Sequence, residues 1–218
     1  ISDKSDGDCV VNPADAALAR APFLARCGTS EEALVLARQV HGCRVAAVGL
    51  EDAGRGGLSP KAAIADTDGL ITNVPGLTLG IRVADCIPVF LFDPVCKAIG
   101  LVHAGRVGTF LNIAAAAVAA MERELGASPG RIHAIIGPSA GPEAYEVSPS
   151  LAEEFAAAGL PAKGRFLDLW QANVEQLVAS GVPGTQIVVS GECTITGGRF
   201  HSHRANPDGR RNLAILML

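Results

Sequence analysis

Two residues open the chemical reading of this chain, Cys86 and His103, a thiol and an imidazole at the open end of what reads as one β-hairpin. The run IPVFLF (87–92) is continuously apolar, and KAIGLV (97–102) follows after only Asp93, Pro94, Val95 and Cys96. A short connection headed by Asp-Pro favours a tight antiparallel turn. Pairing Phe92 with Lys97 sets Ile87 against Val102 and, one step further out, Cys86 against His103. Opposed residues project on one face with Cβ atoms about 4.5 to 5.5 Å apart. At that separation a thiolate and an imidazole can share one metal ion, or act as nucleophile and base. The plainer alternative is a small packed thiol and a hydrogen-bonded histidine. Ala104 and Gly105 after the histidine permit close backbone approach, which favours a site.

The surrounding pattern shows what positions this pair. LGIRV (79–83) reads as a strand before it, RIHAIIG (131–137), QIVVSG (186–191) and LAILML (213–218) as strands after it. VGTFLNIAAAAVAAMERELG (107–126) reads as one buried helix with Thr109 as its N-cap and Gly126 at its end, and SLAEEFAAAG (150–159) and FLDLWQANVEQLVASG (166–181) as two more. EDAGRGGLSP (51–60) reads as a surface loop. The strands do not alternate cleanly with helices. The pattern therefore predicts an α+β fold, a layered sandwich of mixed or antiparallel sheets covered by helices, rather than a doubly wound parallel sheet.

Composition narrows the partners. The chain has 218 residues, 49% hydrophobic and 18% charged, which suits one domain over 1–218 with a substantial core. A net charge of −4 without a basic stripe, and only seven Phe, one Tyr and one Trp for stacking, argue against a nucleic-acid partner. No segment reads as a membrane span or a signal peptide. The six cysteines show neither CxxC pairs nor a disulfide framework spacing, which points to free thiols in a reducing cytoplasm. A small-molecule substrate fits best.

Taken in order, QVHG (39–42), DGLITNVPGLTLGIRVADCIPVFLFDP (68–94), GLVHAG (100–105), IGPSAGPEAYEV (136–147), LDLWQANVEQL (167–177) and GECT (191–194) resemble the YfiH/laccase-domain proteins. That family is also called polyphenol oxidases and purine nucleoside phosphorylases, and the likeness runs from about residue 36 to the C-terminus. It implies α/β/β/α layering and a catalytic zinc held by His41, Cys86 and His103. Two imidazoles and a thiolate fill three tetrahedral positions and leave the fourth for water or substrate. The implied activities are phosphorolysis of adenosine, inosine and 5'-methylthioadenosine, and deamination of adenosine. The chain departs from the family where Arg106, Val107 and Gly108 replace Trp-Arg-Gly, where Ser139 replaces a cysteine, and where Ser202, His203, Arg204 and Ala205 replace SYRR.

The remaining polar residues leave alternatives open. Guanidinium groups suit a phosphate co-substrate. Of those available, Arg204 is the first candidate because it keeps the family's arginine position, and Arg44, near His41, is the second. Asp85 either orients a ligand or substrate, or bonds backbone and shapes its turn. Asp68, in DTDG, reads as a turn residue or an acid/base group. His201 and His203 have the spacing of a metal pair on one strand face but no third partner, and Cys43 is a possible competing ligand. Tyr145 faces either substrate or core. Besides the zinc nucleoside enzyme, two other chemistries use the same residues: copper-dependent phenol oxidation, and metal-free hydrolysis by a Cys86/His103 pair linked to peptidoglycan editing. A structural zinc with a fourth protein ligand would make the domain a non-enzyme.

Overall fold

A computed structural model describes residues 1–9 and 13–218, with the backbone alone over 13–19. Helix α1 (Pro13–Arg26) leads to strands β1 (Leu34–Leu36), β2 (Val45–Ala47), β3 (Gly69–Thr72), β4 (Thr78–Val83), β5 (Ile87–Asp93) and β6 (Ala98–Ala104). Helices α2 (Arg106–Phe110) and α3 (Ile113–Leu125), strand β7 (His133–Ile136) and helix α4 (Pro149–Ala157) follow. The short strands β8 (Ala162–Lys163) and β9 (Phe166–Leu167), helix α5 (Leu169–Ala179), and strands β10 (Ile187–Val189) and β11 (Asn212–Met217) complete the order.

Nine of the strands form two sheets, one of three strands in the order β1-β4-β11 and one of six in the order β10-β7-β5-β6-β3-β2, while β8 and β9 make a separate ribbon. Both large sheets mix parallel and antiparallel pairs. Side-chain alternation assigns the faces. Leu70 of β3, Leu79, Ile81 and Val83 of β4, and Ile99 and Leu101 of β6 fill the space between the sheets. Ile87, Val89 and Leu91 of β5 and Val102 of β6 turn the other way, onto Ala114, Ala117, Val118 and Met121 of α3. On the far side Phe23 and Leu24 of α1 cover Leu34, Leu36 and Leu213 of the small sheet. Each fully buried leucine or isoleucine contributes about 1.5 to 3 kcal/mol. The chain is thus an α+β sandwich layered α/β/β/α. Strand β6, the sheet's centre, is buried at every position, which is why it reads as a run rather than an alternation.

Three local expectations are corrected. In the β5–β6 hairpin Phe92 pairs with Ile99 and Asp93 with Ala98, so the expected Phe92–Lys97 pairing is off by two residues. Asp93 stays in the strand because its buried carboxylate accepts hydrogen bonds from the Val95 and Cys96 amides of the turn, and Lys97 takes the left-handed conformation that closes it. A slip of two residues preserves the faces, so Cys86 and His103 still project on the same side. They are diagonal neighbours, however, and His103 lies opposite Pro88. The expected single helix over 107–126 breaks at Asn112, whose φ of 61° is left-handed. Thr109 is not a helix cap. It is fully buried within α2, where its hydroxyl accepts a bond from Asn173 of α5 at 3.0 Å and its carbonyl one from Gln176 at 2.7 Å. The third helix also begins later, at Leu169, because Asp168 caps it by accepting from the Gln171 amide, leaving Phe166 and Leu167 to the ribbon.

Candidate metal centre and its cavity

Strand β4 belongs to the small sheet and β5 to the large one, so Ala84, Asp85 and Cys86 are the crossing between layers. Three residues suffice because Asp85 adopts a left-handed φ of 81°, a conformation that costs about 1 kcal/mol or more for a residue with a side chain. Its own polar groups offset that strain. The Asp85 carboxylate accepts from the Thr194 hydroxyl and from the Arg204 amide, both at 2.7 Å, and its carbonyl accepts from the Ala140 amide at 2.9 Å. Asp85 therefore shapes the turn and gathers three later segments around Cys86, the second of the two roles its sequence position allows.

Asp68 does the corresponding work for the two histidines. It lies one residue before β3, and continuing the β3–β6 register sets it directly across from His103. The His103 amide donates to the Asp68 carbonyl at 2.7 Å, and Asp68 Oδ1 is 2.8 Å from His103 Nδ1. The same fully buried carboxylate accepts from the amides of Val40, His41 and Gly42 at 3.1, 3.0 and 2.8 Å. Those three bonds hold His41 at a left-handed φ of 60°. With Nδ1 engaged, His103 presents Nε2 to the cavity, as a metal-ligating imidazole does when a carboxylate fixes its other nitrogen.

The outcome is a cluster of His41, Cys86 and His103 in which the ligand atoms lie within 4.8 Å of one another. The imidazoles meet edge to face at 76°, with centroids 4.8 Å apart. A Cβ on Gly105 would stand 2.9 Å from Cys86 Sγ and 3.3 Å from His41 Cδ2, so only glycine leaves the ligands this room. Burial disfavours the Cys86 thiolate, but hydrogen bonds and charge from His103 and His41 outweigh it and bring the thiol's pKa down to about 6. Burial likewise opposes protonation of His103, yet Asp68 and Cys86 push its pKa up to about 9. Asp68 is held below the usual carboxylate range: burial raises it, and the bonds from His103, Gly42 and Val40 more than reverse that. A thiolate between two imidazoles is a donor set that zinc and copper both accept. Among the described residues it is the one such cluster close enough to hold an ion.

The cluster opens into a cavity of about 580 Å³ that Arg82, Tyr145, His203, Arg204 and Arg211 also line. Arg204 is thus where its sequence position suggests, its guanidinium 5.2 Å over the Tyr145 ring and donating to the Glu146 carbonyl at 2.6 Å. Arg44 is not: it is exposed, outside the cavity lining, and donates to the Ala65 carbonyl at 2.6 Å. The HxH pair is split, with His201 buried against the Gly7 carbonyl and His203 on the cavity wall. Cys43 is exposed and outside the cluster. Ser139, at the position where a cysteine was expected, is fully buried and accepts the Trp170 indole N–H at 2.6 Å. Sequence reasoning missed Arg82 and the orienting role of Asp68. The available signal for Arg82 was a lone charge in an otherwise apolar strand, four residues before the cysteine.

Comparison with known proteins agrees with the motifs. The family model described as multi-copper polyphenol oxidoreductase laccase matches residues 7–218. Adenosine deaminase RL5 from an unknown prokaryotic organism is 36% identical over 198 residues, 86% of this chain and 74% of that protein. Purine nucleoside phosphorylase YlmD of Bacillus subtilis is 36% identical over 186 residues, 81% of this chain and 67% of that protein. The crystal structure of YlmD from Geobacillus stearothermophilus superposes with a TM-score of 0.88 at 32% identity, covering 94% of this chain and 81% of that one.

Proposed function

The chain belongs to the multi-copper polyphenol oxidoreductase laccase family, that of the YfiH-like proteins, and within it we propose a zinc-dependent purine nucleoside phosphorylase that also deaminates adenosine. The observation that carries this reading is the convergence of His41, Cys86 and His103 on one point of a cavity whose wall bears arginines, in a chain 36% identical to enzymes named for purine nucleosides. Zinc, held by these three residues, would supply a Lewis acid and a water of lowered pKa at its open position.

The chain's own residues account for the remaining requirements. Asp68 fixes the His103 tautomer and the His41 loop, so the ligands are set before anything binds. Tyr145, with Arg204 over its ring, offers a flat apolar face of the kind a purine stacks on. In phosphorolysis a phosphate oxygen bonds to the ribose anomeric carbon while the bond to the purine nitrogen breaks. The purine leaves with a proton, and adenosine gives adenine and ribose 1-phosphate. In deamination water replaces the amino group, giving inosine and ammonia. The cytoplasm, where six unpaired thiols persist, suits both substrates. The test is to incubate zinc-loaded protein with adenosine, with and without phosphate. Ribose 1-phosphate with adenine, and inosine without phosphate, are expected; absence of all three would overturn the proposal.

Copper-dependent phenol oxidation is favoured by the family model's description alone. Metal analysis of protein purified without added metal separates the two: stoichiometric copper with phenol-dependent oxygen uptake would replace the zinc reading. Full activity after chelation, with a covalent adduct at Cys86, would replace both by Cys/His hydrolysis.

A further inference from the structure

The cavity beside the metal cluster carries an excess of positive charge that the cluster does not use. Arg82, Arg204 and Arg211 line it, and Asp85 is the one carboxylate among its lining residues. Both Asp85 oxygens are already engaged, by the Thr194 hydroxyl and the Arg204 amide. Arg204 is spent on Tyr145 and the Glu146 carbonyl. Arg211 uses one Nη on the Arg210 carbonyl and keeps its other donors. Among the described residues the Arg82 guanidinium has no hydrogen-bond or ion-pair partner at all, although it is half-buried.

Burial, and after it the positive charges of Arg20 and Arg211, hold the Arg82 guanidinium below its usual pKa. Arg20 is matched by Glu31 at 2.9 Å and by the Gly57 carbonyl at 3.2 Å. Among the described residues neither the Arg82 nor the Arg211 guanidinium is paired with a carboxylate, although the Arg211 amide donates to the Asp8 carboxylate at 3.3 Å. Both arginines line one cavity and both are partly buried, and like charges so placed repel unless an anion joins them. The Arg82 backbone is also fixed: the Gln39 side chain donates to the Arg82 carbonyl and accepts from the Arg82 amide, both at 2.8 Å. Gln39 lies two residues before His41, so one side chain ties the arginine's strand to the loop that carries a metal ligand.

We propose that Arg82 and Arg211 form an oxyanion site in this cavity, whose ligand is inorganic phosphate. Guanidinium forks recognise a tetrahedral oxyanion through paired, charge-assisted hydrogen bonds, and two of them can take several of its oxygens while leaving one free. The site's role as the co-substrate's seat rests on the phosphorylase reading above. Its existence does not.

The test is calorimetric titration with inorganic phosphate, paired with the phosphate KM of adenosine cleavage. Arg82→Gln and Arg211→Gln are each expected to weaken phosphate binding about tenfold or more. Arg82→Lys should recover part of the loss, because charge persists without the fork, and this also separates lost binding from lost folding. Arg123→Gln, on an exposed helix end, should titrate as wild type. Wild-type protein that binds no phosphate, or folded Arg82→Gln and Arg211→Gln proteins that bind it normally, would overturn the site. Phosphate binding that depends on Arg82 without any ribose 1-phosphate formed would keep the site and discard the phosphorylase reading. Cleavage with an unchanged phosphate KM in Arg82→Gln would do the reverse.

Discussion

The two ends of the β5–β6 hairpin are each gathered around a fully buried aspartate, and the pair differ in what their partners can do. At the closed end Asp93 accepts from the amides of Val95, Cys96 and Ser128 and from the Arg131 guanidinium. Beside the open end Asp68 accepts from the amides of Val40, His41 and Gly42 and bonds the His103 ring. Each carboxylate thus has three amides and one side chain. The side chain at Asp93 is a fixed cation facing solvent, so its shell only fastens the turn. At Asp68 it is an imidazole whose second nitrogen faces a cavity, so the same arrangement aims a candidate metal ligand. Burial and hydrogen bonding alone do not mark a functional aspartate; the free valence of its partner does.

The sharpest way to break the comparison is to empty the open end while leaving the closed end intact. Cys86→Ala removes one of the three proposed ligands, and metal retention and turnover should each fall by on the order of 10³-fold with the thermal midpoint of the metal-free protein little changed. Metal content by mass spectrometry, beside initial rates, checks this. The mirror experiment is Asp93→Ala, which strands three amides and a guanidinium. Stability should drop by about 3 kcal/mol, read by urea unfolding, while the folded fraction binds metal as before. Loss of metal affinity in Asp93→Ala would mean that the hairpin transmits strain between its ends and that the two aspartates are not separable.

The difference between the ends also explains what the sequence could disclose. Strands β4 to β6 and the terminal β11 are legible because their cores are apolar runs closed by turn residues, and the faces survive even though the hairpin slips by two. The slip itself was hidden because Asp93, besides accepting from the amides of its own turn, is held by Ser128 and Arg131 from 35 and 38 residues away. The site was half visible. Cys86 and His103 are joined by local hairpin logic, whereas His41 needed a family resemblance, since its loop is held by a residue 27 positions on. Asp68 reads as a turn residue because its partner across the sheet is set by topology. Arg44 is near His41 in sequence, yet its side chain turns to Ala65, while Arg82 arrives from a strand.

A subtler change at the open end is Asp68→Asn. An amide keeps the volume but cannot fix the His103 ring as an anionic acceptor does, and losing such a partner typically costs about 10 to 100-fold in metal affinity. Competition against a chelator of known strength measures it. The drop should be in affinity far more than in stoichiometry, and an unchanged affinity would leave Asp68 as a turn residue equivalent to Asp93.

The smallest expected effect separates the two aspartates by pH. Burial alone would raise the Asp93 carboxyl, but the Arg131 guanidinium and the Ser128, Val95 and Cys96 amides hold it far below the usual carboxylate range. A folded-state pKa below the unfolded value means the unfolded chain takes up the proton first, so the contribution is fully present above about pH 4 and is lost as pH falls further. Wild type should therefore exceed Asp93→Asn in stability by about 1.5 kcal/mol at pH 7, with the gap closing below pH 4. Denaturation midpoints of the two proteins from pH 7 to pH 3 test it. A gap that persists at pH 3 would show that the carboxylate's geometry, not its charge, fastens the turn.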